Sequence, residues 1–166
     1  MIRLGLILAV LVLAADQASK EWILYVYDLP SRVSVEILPV LDFDYVRNFG
    51  ITFGLLNGLG SFGPVLLTAV AAAMVIGLLI WLSRAENALT AIALGGIAGG
   101  AVGNIVDRLR FGYVVDFLHM HALGLDFPYV FNVADSAICC GVGLLLIESL
   151  LQPRLRPPSG GAKERA

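Results

Sequence analysis

The sequence is short of charge. Only 14% of its 166 residues are Asp, Glu, Lys or Arg, against about a quarter in an ordinary soluble domain. Hydrophobic residues make up 58%, and mean hydropathy is +0.86. A surface this poor in charge would aggregate in water, so the chain's solvent is a bilayer. The net charge of -2 offers no basic excess, and no nucleic-acid partner is expected. Cysteine is confined to the adjacent Cys139 and Cys140. Their side chains diverge on a helix, which argues against a mutual disulfide and makes them small packing residues. Histidine is confined to "HMH", His119 and His121. No GxSxG elbow and no HExxH occur. Pairing of Ser136 with a histidine, or zinc held by "HMH", is a poor fit beside two surface-loop histidines. No metal or cofactor is expected.

Long apolar runs are present instead. A spanning helix needs about 20 apolar residues, and four segments qualify: about 4–24, 62–82, 88–106 and 131–151. They imply an all-α membrane protein with one integral-membrane domain over 1–152, non-membrane loops at 25–61 and 107–130, and a disordered tail at 153–166. Arg3 followed by "LGLILAVLVLAA" also resembles a cleavable signal peptide. The helical pattern continues through Trp22, Ile23 and Leu24, which favours a retained helix. Arg3, Arg84, Arg154, Arg156, Lys163 and Arg165 fall on one side, and Arg32, Arg47, Arg108 and Arg110 on the other. The bias places both termini in the cytoplasm. Leu41, Phe43 and Tyr45 alternate with Asp42 and Asp44, the pattern of a half-buried strand, so a small extracytoplasmic sheet is expected. Gly95, Gly99 and Gly103 recur every four residues, which suits close helix packing in lipid.

Ionisable groups inside a membrane face the bundle interior or water. Here they gather at one membrane level. Asp16 and Lys20 share a face of the first helix, and Asn104, Asp107 and Arg108 share a face of the third. Asn48 follows the strand, Asp116 interrupts "YVVDFL", and Asn132, Asp135 and Ser136 open the fourth helix. Asp16–Lys20 reads most simply as an ion pair, and the 104–108 group as a polar helix end. Asp116 and Asp135 lie among apolar neighbours with no adjacent base in sequence. Two nearby carboxylates share one proton, so one can take a proton from water while the other donates to a carbonyl oxygen. That is hydrolysis of the aspartic-protease kind. A proton-coupled transporter would also hold carboxylates in a membrane, but nearer the midplane and often in repeated halves; no internal repeat is visible.

The stretches "DQASK", "RNFGITFGLL", "GGAVGNIVDRLRFGYVVDFL" and "FNVADSAI" resemble, in order and spacing, those of bacterial lipoprotein signal peptidase, signal peptidase II. The resemblance covers residues 1 to about 151. It implies four transmembrane helices with an extracytoplasmic β-cradle in the bacterial cytoplasmic (inner) membrane. It also implies removal of the signal peptide just before a diacylglyceryl-modified cysteine, with lipid-modified prolipoproteins and membrane lipids as partners. It maps a catalytic dyad onto Asp116 and Asp135. Supporting residues fall on Asp16, Lys20, Asn48, Gly50, Asn104, Asp107, Arg108, Asn132 and Ala134. A monomer is expected. The sequence departs at Ile51 and Thr52, where the family usually has two alanines before the phenylalanine, here Phe53.

Overall fold

The computed structural model describes residues 1–50, 62–122 and 125–151. The Ile51–Thr52 departure and the tail at 153–166 lie outside the described residues. Among these, four helices are long and apolar enough to cross a membrane. Helix α1 (Ile2–Glu21) passes into a π-helical turn (Trp22–Val26), so the first span continues to Val26. A short helix α2 (Leu29–Arg32) leads to strands β1 (Ser34–Leu38) and β2 (Leu41–Asn48). Helices α3 (Phe62–Ser83) and α4 (Ala88–Phe111) follow, then β3 (Val114–Ala122), β4 (Leu125–Phe131) and α5 (Val133–Leu151).

Helix α4 is the central helix: 61% of its most apolar window is buried, against 11–17% for the other spans. Its glycines explain why. A Cβ on Gly95 would run into the backbone of Gly5 of α1, one on Gly99 into Ala9, and one on Gly100 would lie 2.5 Å from the Ala134 carbonyl of α5. Helices α1 and α5 therefore approach α4 to backbone contact, as small residues permit in lipid. By contrast α3 leaves Val65, Val70, Met74, Ile76 and Trp81 exposed, as a lipid-facing helix does. Helix α4 extends to Phe111, past the end that hydropathy suggests near residue 106. Its final polar turn has inward partners, and Gly112 ends it with φ +80.

The alternation around Leu41–Tyr45 does form a strand. Strands β1-β2-β3-β4 make one antiparallel sheet, with Val35 opposite Phe43 and Val46 opposite Asp116. The sheet is seated on the end of α1. Ile23, Leu29, Val115 and Phe117 form a buried cluster there, flanked by edge-to-face contacts of Phe43 with Tyr27 and with Phe117. That cluster joins the helices to the sheet and so sets where β3 lies relative to α4 and α5.

Candidate active site

The polar residues that the sequence offers for the site, Asp16, Lys20, Asn48, Asn104, Asp107, Arg108, Asp116, Asn132 and Asp135, lie at the sheet end of the bundle. Asp16 and Lys20 stand one turn apart on α1, and both are buried. Lys20 Nζ lies 2.9 Å from Asp16 Oδ2 and 2.8 Å from Asp107 Oδ2 on α4, and donates to Asn104 Oδ1 at 3.2 Å. A buried ammonium is thus met by two carboxylates and an amide oxygen, the compensation a desolvated charge requires. The same carboxylates reach outward. Asp16 Oδ1 accepts from the backbone N–H of Ala134 at 3.0 Å, in the first turn of α5. Asp107 Oδ2 accepts from the backbone N–H of Val115 at 3.0 Å, in β3. One ion cluster therefore anchors α1, α4, α5 and β3 to one another.

On this base sit Asp116 and Asp135. Asn132 and Asp135 cap the start of α5 reciprocally. The Asp135 N–H donates to Asn132 Oδ1 at 2.9 Å, and the Asn132 N–H to Asp135 Oδ2 at 3.3 Å. Asn104 Nδ2 donates to Asp135 Oδ1 at 2.8 Å. On β3, Asp116 accepts from Asn132 Nδ2 at Oδ1 (2.7 Å) and from Asn48 Nδ2 at Oδ2 (2.9 Å). The two carboxylates come from a strand and a helix, and Asn132 contacts both. Burial pushes the Asp116 carboxyl up to about 6, with the Asp135 charge adding to the rise and Asn48, Asn132 and Lys20 opposing it.

Two residues lie at the rim. Gly50, at φ +72, donates its N–H to Asn48 Oδ1 at 2.7 Å and so fixes the amide that faces Asp116. Arg108 is half-buried, donates to the Asn104 carbonyl at 3.3 Å, and lies within Coulombic reach of Asp135, Asp116 and Asp107. Its Nε is buried without a hydrogen-bond partner among the described residues.

The sequence reading missed Gln17. Its Nε2 lies 3.1 Å from Asp16 Oδ2, 3.0 Å from Asp107 Oδ1 and 3.3 Å from the Gly103 carbonyl, stitching α1 to α4. A polar residue inside an apolar run was the available signal. The histidines are not in a loop. Both lie on β3, where His119 Nδ1 faces Asp44 Oδ2 at 2.7 Å and His121 Nε2 is 3.7 Å from Asp42 Oδ1. Ser136 spends its hydroxyl on the Asn132 carbonyl at 3.0 Å. Among the described residues no group of three or more His, Cys, Asp or Glu is placed to hold a metal ion.

Comparison with known proteins follows the same residues. The profile of the family described as Signal peptidase (SPase) II matches residues 8–151. A lipoprotein signal peptidase of Methylorubrum extorquens (strain PA1) is 48% identical over 157 residues, 95% of this chain and 91% of that one. One from Methylocella silvestris is 44% identical over 151 residues, 91% of this chain and 88% of that one. A solved structure described as a bacterial membrane enzyme, by the in meso method at 2.3 Å resolution, superposes with a TM-score of 0.76 at 29% identity, covering 96% of this chain and 94% of that one.

Proposed function

The chain belongs to the signal peptidase II family and is a multi-pass membrane peptidase that removes signal peptides from prolipoproteins; on that premise we propose that Asp116 and Asp135 make the cut as an aspartic dyad. One observation carries this reading: a buried carboxylate, Asp116, and a part-buried one, Asp135, are both held by the same residue, Asn132. Between its two titration steps, the pair holds one proton. The ionised member takes a proton from a water molecule as that water attacks the scissile carbonyl carbon. The protonated member gives its proton to the carbonyl oxygen. Collapse of the tetrahedral intermediate breaks the C–N bond, and the amine leaves with a proton from the dyad. Asn48, Asn104 and Asn132 aim the carboxylates. Lys20, Asp16 and Asp107 lie beneath them and hold the four elements in place.

The same arrangement supports cleavage just before a diacylglyceryl-modified cysteine. Acyl chains that stay in lipid keep the scissile bond at the membrane boundary, and Asp135 sits in the first turn of a spanning helix. The Lys and Arg distribution supports both termini in the cytoplasm, with the site at the outer face of a bacterial inner membrane. The site is assembled from one chain, which supports action as a monomer. The test is incubation of the purified protein in lipid with a diacylglyceryl-modified prolipoprotein, followed by mass analysis. The expected product begins at the modified cysteine. An intact substrate, or a cut elsewhere, overturns the proposal.

A further inference from the structure

At the far end of the bundle lies a second polar cluster, buried at Glu148 and Thr90, that this chemistry does not use. Glu148 of α5 is buried within "LLLIESLL". Thr90 Oγ1 lies 2.7 Å from each of its carboxylate oxygens, and Asn87 Nδ2 donates to Oε1. Asn87 is the N-cap of α4 and accepts the Thr90 N–H at 2.8 Å through its own Oδ1. Glu148 therefore grips the first turn of α4, where free N–H groups and the helix dipole favour a carboxylate.

The antiparallel pair α4 and α5 is thus pinned twice. Glu148 holds one end, and the Asn104–Asp135 hydrogen bond of 2.8 Å holds the other. The pins are about 20 Å apart along either helix at 1.5 Å per residue. Between them the backbones come close at Gly96 against Ala137, Gly100 against Ala134 and Gly141 against Ala93, with the Ile97 side chain seated over Gly141 and that of Ile138 beside Gly100. Shape holds this seam, and hydrogen bonds hold its two ends. Buried polar contacts are a well-attested way to fix register between helices.

We propose that Glu148, with Thr90 and Asn87, is a positioning residue that sets the axial register of α5 on α4, and so the placement of Asp135 opposite Asn104 and Asp116. The inference rests on the dyad reading for its effect on rate, but its structural part stands on its own.

The test uses the full chain in lipid, with two readouts. The first is cleavage kinetics on a diacylglyceryl-modified prolipoprotein. The second is disulfide formation between Gly96→Cys and Ala137→Cys in a background carrying Cys139→Ser and Cys140→Ser. A Cβ at Gly96 lies in ordinary contact range, 3.6 Å from the Ala137 carbonyl oxygen, so a cysteine there meets α5 without forcing the helices apart, and the cross-linking yield with Glu148 intact is the reference. Glu148→Leu is expected to lower kcat about a hundredfold, the effect of displacing a reacting group by about an ångström. KM should stay within about twofold, since the substrate is not what Glu148 holds. Cross-linking should fall in parallel. Glu148→Gln, whose amide oxygen still accepts from Thr90, should recover the rate to within about threefold. Should Glu148→Leu not fold, Thr90→Val, which removes a single hydroxyl, should show the same two effects on a smaller scale. Unchanged cross-linking in a folded Glu148→Leu or Thr90→Val protein overturns the proposal, whatever the rate. Turnover by Asp116→Asn or Asp135→Asn, measured alongside, would instead sink the dyad and leave the register result to stand.

Discussion

The amide of Asn132 donates to Asp116 Oδ1 at 2.7 Å, and the same residue's backbone N–H donates to Asp135 Oδ2 at 3.3 Å. One asparagine thus spans a strand carboxylate and a helix carboxylate. Groups held this way act as a unit. Asp116→Asn and Asp135→Asn should each lose at least about 10³-fold in kcat, and the double variant should be little slower than either. Steady-state cleavage rates of the three proteins decide it. Losses that multiply, or appreciable turnover by either single variant, would show independent roles.

Asp116 also sets a pH dependence. Burial raises its carboxyl from 3.8 to about 6. Its value in the folded protein is the higher one, so its contribution to stability is full below about pH 4 and is lost as pH rises through about 6. The shift corresponds to about 3 kcal/mol at roughly 1.36 kcal/mol per unit. A limb of kcat/KM is expected near pH 6 that belongs to the pair of carboxylates. The hydrogen bond from Asn48 opposes the rise. Asn48→Ala should therefore move this limb to higher pH, by about one unit. A pH–rate profile that stays in place would show that Asp116 does not titrate in the free enzyme.

Lys20 should matter more than either carboxylate beside it. It lies 2.9 Å from Asp16 and 2.8 Å from Asp107, both buried. Lys20→Met leaves two uncompensated carboxylates facing each other and should cost about 3–5 kcal/mol of stability. Asp16→Asn leaves Lys20 paired with Asp107, so it should cost less and keep some turnover. Thermal midpoints in detergent rank the two; the reverse order would refute this account.

The α4 glycines make a sharper comparison, because two neighbours should behave differently. A Cβ on Gly95 has the Gly5 backbone in its way, whereas one on Gly96 finds its nearest neighbour at 3.6 Å. Gly95→Ala should destabilise by about 1–3 kcal/mol through forced separation of α1 and α4. Gly96→Ala should be close to neutral. Equal effects would mean that helix propensity, not packing, governs this segment.

Val33 joins α2 to β1 with φ +66 and ψ -55, a region that a β-branched residue rarely occupies, and the residue is 65% exposed. Val33→Gly should relieve strain of about 1–3 kcal/mol, offset by roughly 0.5–1 kcal/mol of added unfolded-state entropy. The net expectation is a higher unfolding midpoint with activity unchanged. A lower midpoint would mean that the valine side chain contributes more than its backbone costs.

Much of this arrangement was legible in the sequence because it is periodic. Four apolar runs gave the spans, and alternation at Leu41–Tyr45 gave a strand of the sheet. Three- and four-residue spacings put Asp16 with Lys20, and Asn104 with Asp107, on single helix faces. What periodicity cannot supply is the partner across an interface. Lys20 looked like half of one intrahelical pair, yet it is shared with Asp107 on another helix. Gln17 carries no spacing signal because its partners on α4 are 86 and 90 residues away. The histidines alternate with Met120 in strand fashion, but nothing in "HMH" names Asp44 or Asp42 opposite. The extension of α4 to Phe111 escaped hydropathy because its last turn is polar and finds inward partners.

The division of the carboxylates between β3 and α5 has a consequence for how the molecule is made. Asp116 and Lys20 are synthesised before α5, but Asn132 and Asp135 arrive only with it. Until that last described helix has entered the bilayer and docked on α4, the half-built chain has a strand carboxylate with no partner to share a proton. On the dyad reading, an incompletely inserted copy is harmless to its neighbours, and competence to cut peptides begins at the moment the fold closes.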